Sequence, residues 1–139
     1  MNTGELPEAV RRFVAAAHVC RMATVDPSGG PHVVPLCPVF DGDRTLYVDV
    51  GPSSANARNV AANPTVEVVI DEYDDNWALL KGALLRCDVQ VAEGEERDHA
   101  WQLIRQKYPQ YKEIGWEPRL TLALRIRSWT EWGLTKATR

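Results

Sequence analysis

The sequence predicts a mainly β protein with small helices, built on an antiparallel sheet that closes on itself. Three observations carry that expectation. Apolar residues alternate with a period of two through several separate stretches, dense turn clusters such as Asp26-Pro27-Ser28-Gly29-Gly30 and Asp41-Gly42-Asp43 join neighbouring stretches, and helical periodicity is confined to short segments. Hairpins with so few helices between them do not build a doubly wound parallel sheet. The chain also lacks a G-x-G-x-x-G or Walker A sequence, so a Rossmann-type site is excluded.

Taken in order, Leu6, Val10, Phe13, Val14 and Ala17 form one apolar stripe around Pro7, which suits a first helical turn. From Val19 to Val25 the period changes to two, giving a strand that ends in the turn at 26–31. His32 to Phe40 is the return strand of a hairpin. Pro35 and Pro38 within it have no N–H for a ladder, so part of this strand must lie at an edge, at a bulge, or beside something other than a strand. Thr45 to Val50 is a third strand, ended by Gly51-Pro52. Ser53 or Ser54 then caps a short helix that Asn63-Pro64 stops. Thr65 to Tyr73 is a β-branched strand, Asp74-Asp75-Asn76 breaks it, and Trp77 to Ala92 supplies a long strand or a bent pair. Ala100, Trp101, Ile104 and Tyr108 mark a helix over 93–108. Leu120, Leu122, Leu124 and Ile126, alternating with Thr121, Ala123, Arg125 and Arg127, make the last strand. The order is α-β-β-β-α-β-β-α-β.

The length of 139 residues and mass of 15.6 kDa fit one domain over residues 1–139. The net charge of −3 is evenly spread, with five basic and seven acidic residues in 1–70 and eleven and twelve in 71–139. Such a chain has no electrostatic pull on a phosphate backbone, so no nucleic acid partner is expected. The N-terminal residues carry no basic and apolar leader. The uncharged stretch Pro27 to Phe40 is interrupted by four prolines and two glycines and is too short for a bilayer span. A cytoplasmic protein without a membrane partner is the expectation. Cys20, Cys37 and Cys87 show no C-x-x-C spacing and read as small buried hydrophobes.

Hydrolytic chemistry finds no support, because no G-x-S-x-G elbow is present and the serines sit at turns and caps. His18, His32 and His99 lack metal-site spacing, and no metal is expected. The carboxylates Asp71, Glu72, Asp74 and Asp75 lack the pattern of a calcium loop. Two segments stand out. The arm His32-Val33-Val34-Pro35-Leu36-Cys37-Pro38 is uncharged, and its proline-interrupted edge leaves backbone groups free for a planar ligand. The segment Gly51 to Pro64 joins a helix start to Ser53, Ser54 and Arg58, which suits a phosphate, although caps and a surface arginine explain it as well.

These segments belong to a longer arrangement: Arg21-Met22-Ala23-Thr24-Val25-Asp26 running to Pro35, then Asp41-Gly42-Asp43, then Ser54, Arg58, Asn59, Asn63 and Pro64. It continues with a valine-rich strand, Asp71-x-Tyr73-Asp74-x-x-Trp77 and a closing Ser128-Trp129-x-x-Trp132-Gly133. Over roughly residues 7–134 it resembles the pyridoxamine 5′-phosphate oxidase-like split β-barrel family of flavin and deazaflavin oxidoreductases. The resemblance implies a six-stranded antiparallel Greek-key barrel of the FMN-binding kind, and a homodimer with its cofactor sites at the interface. The implied cofactor is FMN, with the deazaflavin coenzyme as the alternative. Val33, Pro35 and Leu36 would wall the ring, and Val50, Ser53, Ser54, Asn56, Arg58 and Asn59 would take the phosphate. Trp77 and Lys81 would act on the partner subunit, and His32 is the candidate acid. Ala55 and Asn56 depart from the family, whose members place cations near the helix start. The implied function is a flavin-dependent oxidoreductase acting on a small molecule; the alternative is a non-catalytic flavin- or haem-binding or sequestering protein on the same barrel. Trp129 and Trp132 read as packing residues.

Overall fold

The computed structural model describes all 139 residues, Met1–Arg139. Seven antiparallel strands form one sheet: β1 (Cys20–Val25), β2 (Pro31–Leu36), β3 (Val39–Phe40), β4 (Thr45–Val50), β5 (Thr65–Glu72), β6 (Lys81–Val91) and β7 (Leu120–Trp132). Their spatial order is β2-β1-β5-β6-β7-β4-β3. The two outermost strands, β2 and β3, are separated along the chain only by Cys37 and Pro38. The chain itself therefore joins the two edges and curls the sheet into a barrel.

Seven strands replace the six expected, because the stretch from His32 to Phe40 is two strands. Pro38 has no N–H to continue a ladder, so pairing stops at Leu36 and resumes at Val39. Val39 pairs with Tyr47 on β4, whereas Leu36 pairs with Cys20 on β1. Beyond Pro38 the strand thus leaves β1 for β4, and the edge of β2 away from β1 has no strand partner. A split opens between β2 and the end of β4.

The barrel interior holds the main core, with Met22, Leu46, Val48, Leu85, Leu122 and Leu124 fully buried. Helix α1 (Glu8–Ala16) adds Val10 and Val14 to it, as the apolar stripe requires. Helix α2 (Ala55–Ala62) adds Ala57 and Val60 and so plugs one barrel end. Helix α3 (Gly94–Lys107) covers the outer face of β4 and β7 and builds a second core from Tyr47, Ala100, Trp101, Ile104, Tyr108 and Ala123. A short α4 (Gln110–Glu113) follows. Within the stretch from Trp77, a 3-10 turn at Trp77–Leu79 precedes the long β6, which pairs with both β5 and β7.

Several side chains fix these parts. Lys107 donates to the carbonyls of Ala15, Ala17 and Pro38, so one ammonium ties the end of α1 to the bend between β2 and β3. Burial lowers its pKa from the ordinary lysine value. Tyr108 donates to the Pro38 carbonyl at 2.6 Å. Gly133 has φ +71°, and a Cβ there would stand 2.2 Å from the Leu80 carbonyl, so this position admits only glycine. Cys20 and Cys87 are buried, and burial first of all pushes both thiols up to about 12. Cys37 departs from the expectation of a buried residue: it is exposed, because it follows Leu36 on the alternation and turns outward. Trp129 is buried in the main core.

Candidate functional site

Cross-strand partners on a sheet share a face, and this rule sorts the residues of β2. His32, Val34 and Leu36 lie opposite Thr24, Met22 and Cys20, which point inward. Val33 and Pro35 lie opposite Ala23 and Arg21 and point outward, with Val33 64% exposed. The three residues expected to wall a ring are therefore divided: Val33 and Pro35 present an apolar outer face, and Leu36 packs against the main core. His32 also stands on the inward face, across from Thr24.

The other bank of the split is the corner from Val50 to Arg58. Val50 is buried in the core, so only its backbone borders the split. Ser54 caps α2, its Oγ accepting from the Ala57 N–H at 3.2 Å while its hydroxyl proton stays free to donate. Arg58 folds back from the second turn of α2 and donates to the Ser53 carbonyl at 2.7 Å. Asn59 is buried and donates from Nδ2 to Thr24 Oγ1 at 2.9 Å, which docks α2 onto β1. Asn56, 7% exposed, has no partner for its amide oxygen. A buried acceptor left alone costs about 1–3 kcal/mol, so the Asn56 oxygen is an unsatisfied group at the start of α2.

Residues far along the sequence complete this bank. Leu120 pairs with Val50, which places Arg119 beside Gly51. Arg119 donates from Nε to Asp49 Oδ2 at 3.2 Å, and its backbone N–H donates to Asp49 Oδ1 at 3.2 Å. Its guanidinium lies 5.7 Å from the Trp116 ring centroid. Trp116 stacks edge-on with Tyr111, and Tyr111 with Trp101 and Tyr108. Cys37, Tyr108, Tyr111, Ile114 and Trp116 line a groove of about 290 Å³ next to the bend that ends β2. Burial pushes the Tyr111 phenol up from its ordinary pKa, with Cys37 and Asp49 adding to the effect. Sequence reasoning missed Tyr111, Trp116 and Arg119; the alternation that starts β7 at Leu120 was the signal that placed Arg119 next to Gly51.

Trp77 and Lys81 lie elsewhere. Thr65 of β5 pairs with Asp88 at the end near α2, and Glu72 pairs with Lys81 at the opposite end. Lys81 Nζ is 3.3 Å from Glu72 Oε2, and Trp77 is 73% exposed with its Nε1 donating to the Tyr73 hydroxyl at 3.4 Å. No three His, Cys, Asp or Glu side chains cluster as metal ligands. The arrangement can hold an elongated ligand with an oxyanion at the Gly51–Ser54 corner and an apolar, planar part along β2.

A family model described as pyridoxamine 5′-phosphate oxidase matches residues 6–133. No curated protein matches the chain. Among solved structures, a haem-binding protein from Mycobacterium smegmatis is similar with a TM-score of 0.79 at 19% identity, over 93% of this chain and 54% of that one. The chain thus spans about half the length of that relative. An FAD-binding protein from Mesorhizobium loti gives a TM-score of 0.70 at 24% identity, over 92% and 95% of the two chains. HutZ, a haem storage protein from Vibrio cholerae, gives 0.69 at 19% identity, over 94% of each chain.

Proposed function

The chain belongs to the pyridoxamine 5′-phosphate oxidase family, and on that premise we propose that it is a flavin-dependent oxidoreductase that holds FMN in the split and acts on a small molecule. The observation that carries this reading is the corner where Arg58 reaches the Ser53 carbonyl and Arg119 borders Gly51, at the start of the helix on which the buried Asn56 amide oxygen has no partner. A phosphate monoester fits that donor set, because the Ser54 hydroxyl and the first amides of α2 point out of a helix start. A hydroxyl on the chain that links phosphate to ring would satisfy Asn56. Val33 and Pro35 offer an exposed apolar wall, and the strand edge behind them has free backbone groups for a ring with polar edges. When bound, the isoalloxazine supplies hydride or electron transfer. The chain binds the phosphate, fixes the ring against β2 and keeps water from one ring face. A ring on the Val33 face leaves His32 behind the strand, on the inward face across from Thr24, and gives it no proton-transfer role in this reading. The deazaflavin coenzyme, which also carries phosphate, is the alternative ligand.

The cofactor site is completed in this reading by a second copy of the chain. Tyr73, Trp77 and Leu79 are exposed together at the β5–β6 end, and Val33 is exposed on β2. A homodimer that covers both patches would set Trp77 and Lys81 against the partner's split. Sedimentation of the purified protein tests this: a dimer that Trp77→Asp dissociates supports it, and a monomer at tens of micromolar contradicts it.

The second reading is a protein that binds or sequesters flavin or haem without catalysis. It is favoured by the absence of an acid or base side chain on the outward face of β2, and by likeness to a haem-binding and a haem storage protein. One set of titrations separates the two. FMN binding with NAD(P)H oxidation supports the oxidoreductase, FMN or haemin binding without turnover supports the binder, and an absorption spectrum tells flavin from haem.

A further inference from the structure

We infer that Arg119 supplies the second cation of an oxyanion seat at the Gly51–Ser54 corner, and that it sets the preference for a phosphorylated over an unphosphorylated ring cofactor. The inference rests on the flavin reading above and adds to it a residue that lies 61 positions beyond Arg58 in the chain. Arg119 is presented rather than spent. Its Nε and backbone N–H are held by Asp49, whose side chain is only 2% exposed and also accepts from Thr121 Oγ1 at 3.0 Å. Thr121 is itself fixed by Trp101 Nε1 at 2.9 Å, and Trp116 braces the guanidinium from the side. The stem is thus locked, while Nη1 and Nη2 have no acceptor within the chain. These two nitrogens form the fork that suits an oxyanion bidentately.

The corner beneath them is shaped for approach. Nη1 lies 3.7 Å from the point where a Cβ on residue 51 would stand, and Gly51 leaves that space open. Arg58 brings its guanidinium to the Ser53 carbonyl in the same turn. Counting Arg58, Arg119 and the buried Asp49, the corner carries one net positive charge before a ligand arrives. The amides of Ala55 and Asn56 have no intrahelical acceptor, and the nine-tenths-buried Asn56 keeps an unpartnered oxygen at the same end of α2. Donors from the residue before β7, from the turn and from the start of α2 thus gather at one corner, which suits an oxyanion.

The test compares FMN with riboflavin, which lacks the phosphate, by flavin fluorescence on the full chain, on Arg119→Gln and on Arg119→Lys. Arg119→Gln should weaken FMN at least about tenfold, close to 1.4 kcal/mol, leave riboflavin within about twofold, and be partly rescued in Arg119→Lys. Equal affinity for FMN and riboflavin in the unmodified protein, or an FMN preference that survives in Arg119→Gln, overturns the inference while leaving the flavin reading standing. Amide spectra with inorganic phosphate give a second readout that needs no flavin. Shifts at Gly51 and Ser53 to Asn56 that vanish in Arg119→Gln support the seat even if no flavin binds, and their absence removes it. A haemin titration addresses the other source of such an oxyanion, a haem propionate: Arg119-dependent haemin binding without FMN binding overturns the phosphate assignment.

Discussion

Under α3, on one side of β4, and at the split, beyond its end, the barrel treats polar side chains differently. Under α3 each has a partner. Tyr47 donates to Glu96 at 2.8 Å, Arg125 grips Glu96 through two bonds at 3.0 and 2.9 Å, and Trp101 donates to Thr121. At the split, the Asn56 oxygen, the Arg119 fork and the free edge of β2 have none. A satisfied network holds two layers together, whereas an unsatisfied buried group is stable only because neighbouring packing outweighs it. The difference separates a region whose polar groups serve the fold from the one proposed above to receive a ligand.

The largest effect should come from the paired side. Trp101, 1% exposed, anchors α3 on β7, so Trp101→Ala should lower unfolding free energy by about 3–5 kcal/mol in urea denaturation. A loss below about 1 kcal/mol would mean that α3 contributes little to the fold. Next comes Asn59, whose removal leaves the buried Thr24 hydroxyl unpaired; Asn59→Ala should cost about 1–3 kcal/mol by the same measurement.

Glu96 sharpens the comparison through pH. Hydrogen bonds from Arg125 first, and from Tyr47, hold its carboxyl below the ordinary range. A folded pKa depressed below the unfolded value, about 4.3, gives stability that is complete above that value and is lost as pH falls through the folded pKa. Stability measured from pH 6 downward should therefore decline below about pH 5, and Glu96→Gln should flatten that decline. The smallest effect belongs to the split. Asn56→Ala, one turn before Asn59 on the same helix, should leave stability within about 0.5 kcal/mol or raise it, because no bond is lost. It should nevertheless weaken FMN binding. A destabilisation as large as that of Asn59→Ala would erase the distinction between a paired and an unpaired side chain.

Much of the fold was legible in the sequence because it is local. The turn at 26–30, the alternation of Leu120 to Ile126 and the Ser54 cap each act within a few residues. The prolines at 35 and 38 even announced the interrupted edge, although the division into β2 and β3, and hence a seventh strand, depended on what Val39 pairs with. The candidate site was half legible for the same reason. Ser54 and Arg58 are joined by one helical turn, but Asp49 and Arg119 are 70 residues apart and meet only through the β4–β7 register. Asn56 and Asn59 look alike in sequence, and only burial and pairing show that one is a docking residue and the other an orphan. The alternation of β2 also divides Leu36 and His32 from Val33 and Pro35, which no reading of the arm as one surface anticipates.

The central claim is that the split is a flavin site, and equilibrium titration of the purified protein with FMN, followed by quenching of flavin fluorescence, tests it most directly. Saturable binding with a Kd below about 100 μM, equivalent to roughly −5.5 kcal/mol, and weakened by Asn56→Ala, is the predicted result. No saturation by FMN or by the deazaflavin coenzyme up to that concentration would contradict it.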